Sequence, residues 1–106
     1  MDKVHILYID CLFIVHGQAR PMQVQECFSL SRSKASRLFS AYRDLVSSSV
    51  LFDSSSKTYK TTSDYESLSG RNREQALWYI ENVVRVFEDA EATVIEAKKK
   101  GSPLAG

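Results

Sequence analysis

Basic and small polar side chains crowd one segment of the chain, residues 28–43, which reads FSLSRSKASRLFSAYR. An arginine can form two hydrogen bonds with a guanine edge, and a serine is short enough to let a helix approach DNA closely. No carboxylate occurs between Ser31 and Arg43, although a solvated helix normally mixes both charge signs. The candidate base-reading residues are Arg32, Ser33, Lys34, Ser36 and Arg37.

A second set of polar residues could contact the DNA backbone, which supplies affinity but no sequence information. For Lys57, Tyr59 and Lys60, which belong to a predicted β-hairpin or wing, an exposed and charged strand edge that resists aggregation is an equally good interpretation. Arg20 and Gln23 could equally form a solvated helix cap. The candidate backbone and wing residues are Arg20, Gln23, Ser31, Ser40, Arg43, Lys57, Tyr59 and Lys60.

Charge is distributed unevenly along the 106 residues, although the net charge of the chain is only +1. Residues 17–63 contain seven basic and three acidic side chains, a net charge of +4. Residues 64–97 contain three basic and eight acidic side chains, a net charge of −5. The middle of the chain could therefore face a polyanion, whereas the C-terminal third could not.

Other chemistry finds little support in the sequence. Cys11, Cys27, His5 and His16 lack the short ligand spacings of zinc modules, so we expect no metal, no cofactor and no small-molecule ligand. His16 and Asp10 belong to no recognisable catalytic constellation, so we expect no enzyme. Two cysteines in apolar patterns favour a reduced, cytoplasmic protein. The apolar run at residues 4–15 is too short to span a bilayer, so we expect no membrane partner.

Three helices are expected in the first half of the chain. The first runs from Asp2, a plausible N-cap, to His16, because Gly17 stops it. The second begins at Pro21, which needs no amide partner in a first turn, and ends at Phe28. The third follows the tight connection at Ser29 and Leu30, is capped by Ser31 and ends near Val46. Its predicted buried stripe is Ala35, Leu38, Phe39, Tyr42, Leu45 and Val46.

A hairpin and a long helix follow. Residues 50–52 and 58–61 are rich in β-forming residues and flank a turn at residues 53–57, which predicts two strands. From about Arg71 to Lys100, apolar residues recur in steps of four and three, which predicts a helix with an apolar seam. Leu77, Trp78 and Val84 widen the apolar face of this helix. This seam predicts pairing with a second chain, although packing on the first helix of the same chain is the alternative. The candidate dimerisation residues are Ala76, Ile80, Val83, Phe87, Ala90 and Val94.

The segments IDCLFIVHG, VQECFSLSRSKASRLFSAYRDL and FDSSSKTYKTTSDY together resemble the N-terminal winged helix of bacterial WYL-domain transcriptional regulators, especially repressors linked to phage defence. The resemblance covers Ile9 to Tyr65 and implies a homodimer that binds inverted repeats. It also implies base reading by Ser31 to Arg37 and a wing tip at Lys57 to Tyr59. Ser29 stands where that family often has glycine, and we expect a stand-alone unit without the WYL domain.

We therefore predict a mainly α protein with a winged helix-turn-helix fold, three helices plus a β-hairpin wing, followed by a long C-terminal dimerisation helix. Residues 1–65 would form the DNA-binding domain, residues 71–100 the dimerisation helix and residues 101–106 a disordered tail. The predicted function is sequence-specific binding of double-stranded DNA by a homodimeric regulator, most simply a bacterial or phage repressor. The alternative is a winged-helix protein-interaction module that does not read DNA sequence.

Overall fold

The computed structural model describes residues 3–99, with the side chains of residues 84, 87–92 and 94–99 left out of the description. Asp2, the predicted cap of the first helix, and the predicted tail at residues 101–106 lie outside the described residues. Four helices and three strands occupy residues 3–99. In chain order they are α1 (Lys3–His16), β1 (Gln18–Ala19), α2 (Pro21–Phe28), α3 (Arg32–Leu45), β2 (Val50–Asp53), β3 (Thr58–Thr61) and α4 (Arg73–Lys99).

The predicted helix boundaries follow from local signals. Gly17 ends α1 in the left-handed conformation, at φ +71°, and its amide donates to the carbonyl of Phe13 at 2.8 Å. Pro21 opens α2 at a position where no amide donor is needed. The Ser31 hydroxyl caps α3 by accepting a hydrogen bond from the amide of Lys34 at 3.1 Å. These signals act within one turn of chain, which is why the sequence predicts them well.

The strands form one antiparallel sheet in the order β1-β3-β2. In the predicted hairpin, Val50 pairs with Thr61 and Phe52 with Tyr59. The short strand β1 was not predicted, because two residues between helices carry no alternation that could indicate a strand. Ala19 pairs with Tyr59, so β1 fastens the wing to the helices through β3.

The core lies between α1, α2 and α3 and is closed on one side by the sheet. Aromatic rings fill much of it: Phe13 stacks on Tyr42, with ring centroids 5.3 Å apart, and meets Phe39 edge-on at 6.2 Å. Of the predicted α3 stripe, Leu45 is wrong, because its side chain is 56% exposed. Leu45 is the last residue of α3 and lies at the edge of the stripe. The other five members are buried: Ala35, Leu38, Phe39, Tyr42 and Val46.

The long helix α4 packs its first turns against α1. Ala76 is fully buried, and Tyr79, whose hydroxyl donates to the Val4 carbonyl at 3.3 Å, packs on the core together with Ile80 and Val83. The intrachain alternative thus describes this part of the helix, and Ala76 has no surface left for a second chain. Of the residues predicted to widen the apolar face of this helix, Trp78 is 65% exposed in the single chain. Leu77 is also exposed, and the side chain of Val84 lies outside the description.

Candidate nucleic-acid interface

The first half of α3 presents its polar side chains to solvent. Arg32, Ser33, Ser36 and Arg37 are exposed, and Lys34 is half-buried. On the opposite side of the same helix, Ala35 is fully buried and Leu38, Phe39 and Tyr42 pack into the core. A rigid apolar anchor therefore carries an exposed basic face, which is the arrangement of a helix that enters a DNA groove. All five sequence-predicted base-reading residues lie on this one half-helix.

The turn that precedes α3 holds its N-terminus in place. Ser29 has a φ of 55°, the left-handed conformation that glycine adopts more readily, and the amide of Leu30 donates to the carbonyl of Gln25 at 3.1 Å. Serine at the position where glycine is common therefore still forms the tight turn. α2 and α3 are thus joined by only three residues, as in a helix-turn-helix pair.

The two lysines of the wing, which the sequence analysis treated alike, lie in different environments. Lys60 forms an ion pair with Asp53, with Nζ and Oδ2 3.0 Å apart. Hydrogen bonds from the hydroxyl of Ser55 and from Lys60 lower the pKa of the Asp53 carboxyl well below its usual range. Lys57 is exposed at the turn, in the left-handed conformation with a φ of 56°. Of the two wing lysines, Lys57 is therefore the better placed to meet a phosphate.

Tyr59 packs within the wing. Its ring lies between Phe39 of α3 and Phe52 of β2, with centroid distances of 4.9 Å to each. Phe52, an aromatic residue that the sequence analysis did not single out, remains 47% exposed at the outer end of this row. The three rings fix the wing relative to α3, so Tyr59 is held as a link between the two candidate DNA-contacting elements.

An open groove of about 700 Å³ separates the wing from α2 and α3. Arg20, Arg32 and Lys57 bring positive charge to it from three different elements or their flanks. Met22, Phe52 and Tyr59 supply apolar surface on the same walls. The groove therefore joins the candidate base-reading residues to the candidate wing residues in one continuous surface.

Three of the other predicted backbone contacts, Arg20, Gln23 and Arg43, have partners inside the chain. The Nε of Arg20 donates to the Thr58 hydroxyl at 3.1 Å, and its amide donates to the Gln23 side-chain oxygen at 2.8 Å. The Nε of Arg43 donates to the carbonyl of Val50 at 3.0 Å, which ties the end of α3 to β2. Ser40 is exposed. Each arginine uses its Nε for the fold, which leaves its terminal nitrogens available to an anion.

Sequence reasoning missed the structural importance of Asp10. This aspartate is fully buried, and its carboxylate accepts hydrogen bonds from Tyr42 at 2.6 Å and from the amides of Leu68 and Ser69 at 2.8 and 3.0 Å. The available signal was a single carboxylate within the largely apolar run at residues 4–15. Its donors lie more than 30 residues away in the sequence, so that signal could not identify them.

The groups that could support other chemistry are dispersed. Among the described residues 3–99, no three His, Cys, Asp or Glu side chains are grouped closely enough to hold a metal ion. Burial raises the pKa of the Cys11 thiol to about 11, so this thiol is protonated and unreactive at neutral pH. Within the same part of the chain, none of the helices combines the length and the apolar character that a membrane crossing requires.

The helix-turn-helix pair, the three-stranded sheet and the exposed basic face of α3 together define a winged-helix DNA-binding domain. The family model described as the BrxR transcriptional regulator winged helix-turn-helix domain matches residues 3–82. The chain belongs to this family, and the predicted resemblance to the winged helix of transcriptional regulators is confirmed. A comparison with curated proteins gave no match. The match indicates DNA-binding regulation as the role of the fold, and regulators of this kind are not typically enzymes.

Proposed function

We propose that the protein is a homodimeric, sequence-specific DNA-binding regulator that represses transcription by occupying an inverted-repeat operator. The observation that carries this proposal is the first half of α3, where two exposed arginines and two exposed serines share a face without any carboxylate, with the half-buried Lys34 at its edge. Arg32 and Arg37 would each read a guanine through two hydrogen bonds, and Ser33 and Ser36 would allow close approach. Lys34 would contact a base or a phosphate.

The wing and the start of α2 would contact the DNA backbone on either side of α3. Lys57 is the strongest wing candidate, because Lys60 is already paired with Asp53. Arg20 and Arg32 face the same groove as Lys57, so one phosphate strand could run between the wing and α3. Ser31, Ser40, Gln23 and Arg43 would add polar contacts at the edges. Blocking the operator in this way requires no further activity from the protein.

Dimerisation would use the part of α4 beyond its packing on α1. Residues 84–99 extend for about 24 Å at the 1.5 Å rise of an α-helix. The sequence places Phe87, Ala90 and Val94 on the continuation of the seam that Ile80 and Val83 begin. A second copy of the same helix would cover this seam and place two α3 helices about 34 Å apart, one turn of DNA. Residues 1–65 and 71–100 would then be the DNA-binding and dimerisation segments.

The first prediction concerns the two arginines on the base-reading face. We expect Arg32→Ala and Arg37→Ala each to weaken specific binding by about 1–3 kcal/mol and to relax the preference at one base position, because a bidentate contact is lost. Competitive binding to operators mutated at each position measures both effects. Arg73→Ala, an exposed arginine at the start of α4, is the matched control. An unchanged base preference in both α3 variants would contradict the assignment of Arg32 and Arg37 as base-reading residues.

A second prediction separates the two wing lysines. We expect Lys57→Ala to weaken binding to all DNA sequences alike and to lower the salt slope of the binding constant by about 1, because one phosphate contact is lost. Lys60→Ala should lower the slope less, since Asp53 already neutralises this lysine. Titrations of one duplex at several salt concentrations give the slopes. Equal slopes for the wild type and the Lys57 variant would exclude a phosphate contact at the wing.

A protein-interaction module is the second candidate, and Trp78 favours it. Trp78 is 65% exposed on the acidic helix α4, beside a largely apolar hollow that Tyr79 and Gln75 also line. A large exposed aromatic side chain is common at the centre of protein interfaces. Retention on non-specific DNA discriminates the two functions: retention that falls steeply with salt supports DNA binding, and its absence supports the interaction module.

A further inference from the structure

A buried carboxylate joins the candidate DNA-reading helix α3 to residues 62–72, the connecting segment between β3 and α4. Asp10 Oδ1 accepts hydrogen bonds from the Tyr42 hydroxyl at 2.6 Å and from the Leu68 amide at 2.8 Å. Asp10 Oδ2 accepts hydrogen bonds from the Ser69 amide at 3.0 Å and from the Ser69 hydroxyl at 2.6 Å. The Tyr65 hydroxyl is 2.6 Å from the Tyr42 hydroxyl and donates to Oδ1 at 3.4 Å. One side chain of α1 thus holds α3 and the connecting segment together.

Such a cluster forms only when the elements are correctly placed. A buried carboxylate is strongly destabilising unless several donors replace its water. Burial, followed by the hydrogen bond to Asp10, raises the pKa of Tyr42 far above its usual value, so its hydroxyl remains a donor. Because the donors come from α3 and from the connecting segment, a shift of either element would take hydrogen-bond donors away from the buried side chain of Asp10.

The connecting segment in turn directs α4. Only three residues separate Ser69 from the first residue of the helix, and Asn72 caps that helix by accepting from the amide of Gln75 at 2.8 Å. The helix is also held by packing: Ala76 is fully buried, Tyr79, Ile80 and Val83 pack on the core, and the Tyr79 hydroxyl donates to the Val4 carbonyl at 3.3 Å. The connecting segment and this packing up to Val83 together set the direction of α4, and any angular freedom within them is amplified along its 27 residues.

We propose that Asp10 is a positioning residue that fixes the direction of α4 relative to α3, and so sets which spacing between operator half-sites the homodimer accepts. The inference rests on the proposed function. One added base pair rotates a half-site by about 35° around the duplex and moves it by about 3.4 Å. A dimer whose α4 helices are firmly held relative to α3 binds poorly when a half-site is rotated in this way. A dimer in which the link between α3 and α4 is weakened can adjust to the rotated half-site.

The test uses the full chain, with Ser69→Ala and Asp10→Asn as variants. Ser69→Ala removes one hydroxyl donor and leaves the amide of residue 69 on Asp10, so this variant decides the question if Asp10→Asn does not fold. Ser63→Ala, an exposed serine in the same connecting segment, is the matched control. Each protein is titrated against a single half-site and against repeats with the optimal spacing or with one or two base pairs added or removed.

We expect unchanged affinity for the single half-site in all folded variants. The preference for the optimal spacing over a spacing one base pair longer should fall about tenfold in Ser69→Ala and Asp10→Asn, the scale of one lost hydrogen bond to a charged group. Ser63→Ala should keep the preference of the wild type. A merely structural role of Asp10 would lower thermal stability without changing the spacing preference.

Two results would overturn the inference, and they differ in what they say about the proposed function. If the wild type prefers one spacing and both variants retain that preference, the inference alone fails. If the wild type binds single sites with no preference for any repeat, the dimeric part of the proposed function fails and the inference fails with it.

Discussion

Removing the chain after Val83 is expected to weaken binding to an inverted repeat by about 10²- to 10⁴-fold, while binding to a single half-site stays unchanged. Linking two binding modules raises the effective concentration of the second, and truncation would abolish this link. The described packing of α4 on the core survives, because Ala76, Tyr79, Ile80 and Val83 all remain. Light scattering measures the oligomeric state, and titration of both duplexes measures the affinities.

Two single substitutions in α4 test the same interface without shortening the chain, one expected to disrupt the dimer and one serving as its control. Phe87→Glu places a charge on the predicted seam and should reproduce the effect, because a buried unpaired carboxylate opposes association. Val86→Glu changes the neighbouring residue, which is 68% exposed, and should leave the dimer intact. A truncated protein that stays dimeric and binds the repeat as tightly as the full chain would show that residues 84–106 do not form the interface.

The second large effect concerns the aromatic core beneath the candidate interface. We expect Phe13→Ala to lower the free energy of unfolding by about 3–5 kcal/mol, because a large cavity would open in the core. The Phe13 ring is 2% exposed and contacts the rings of Tyr42, Phe39 and Tyr65. Urea denaturation followed by circular dichroism measures the change. This loss is a large fraction of the roughly 5–15 kcal/mol that stabilises a typical domain.

Val4→Ala, on the same helix, is the control for Phe13→Ala. Val4 is 46% exposed, so its truncation should change the free energy of unfolding by only about 0.5 kcal/mol. If Phe13→Ala cost less than about 1 kcal/mol, the ring could not be a central element of the packing that holds α3 in place.

The sequence predicts most of the helices and the hairpin because their signals are local. Gly17, Pro21 and Ser31 each act within a turn of their own helix, and the wing carries β-forming residues on both sides of a polar turn. The predicted mainly α winged helix is confirmed in its three helices and its hairpin, which follow in the predicted order, whereas β1 was not predicted. The family match over residues 3–82 is consistent with the same reading.

The features that sequence reasoning missed depend on distant partners. β1 is a strand only because β3 lies beside it, and the buried Asp10 depends on donors from two distant segments, α3 and the residues that precede α4. Ala76 fits a seam between chains as well as a seam within one chain, and spacing alone could not decide between them. Because Ala76 is buried against α1, the first turns of α4 pack within the single chain.

The candidate site was predicted as a set of residue types, and the structure separates its members by environment. Arg32 and Arg37 are exposed on the face that the spacing indicated. Lys60 resembles Lys57 in sequence but is paired with Asp53, a contact that depends on the turn between them. Tyr59 packs between two rings. Residue type and periodicity indicate which face of α3 is polar. Ion pairing and burial depend on residues that only the folded structure brings together.

Sequence-specific binding by a dimer is tested directly by selecting the purified full chain on a random duplex library at about 150 mM salt, near physiological ionic strength. We expect enrichment of an inverted repeat whose half-site centres lie about 10 base pairs apart, which is one DNA turn, or a multiple of this distance. Guanines should recur within each half-site, where Arg32 and Arg37 would read them. A folded protein that enriches no sequence would contradict the account and direct attention to the exposed Trp78 face of α4.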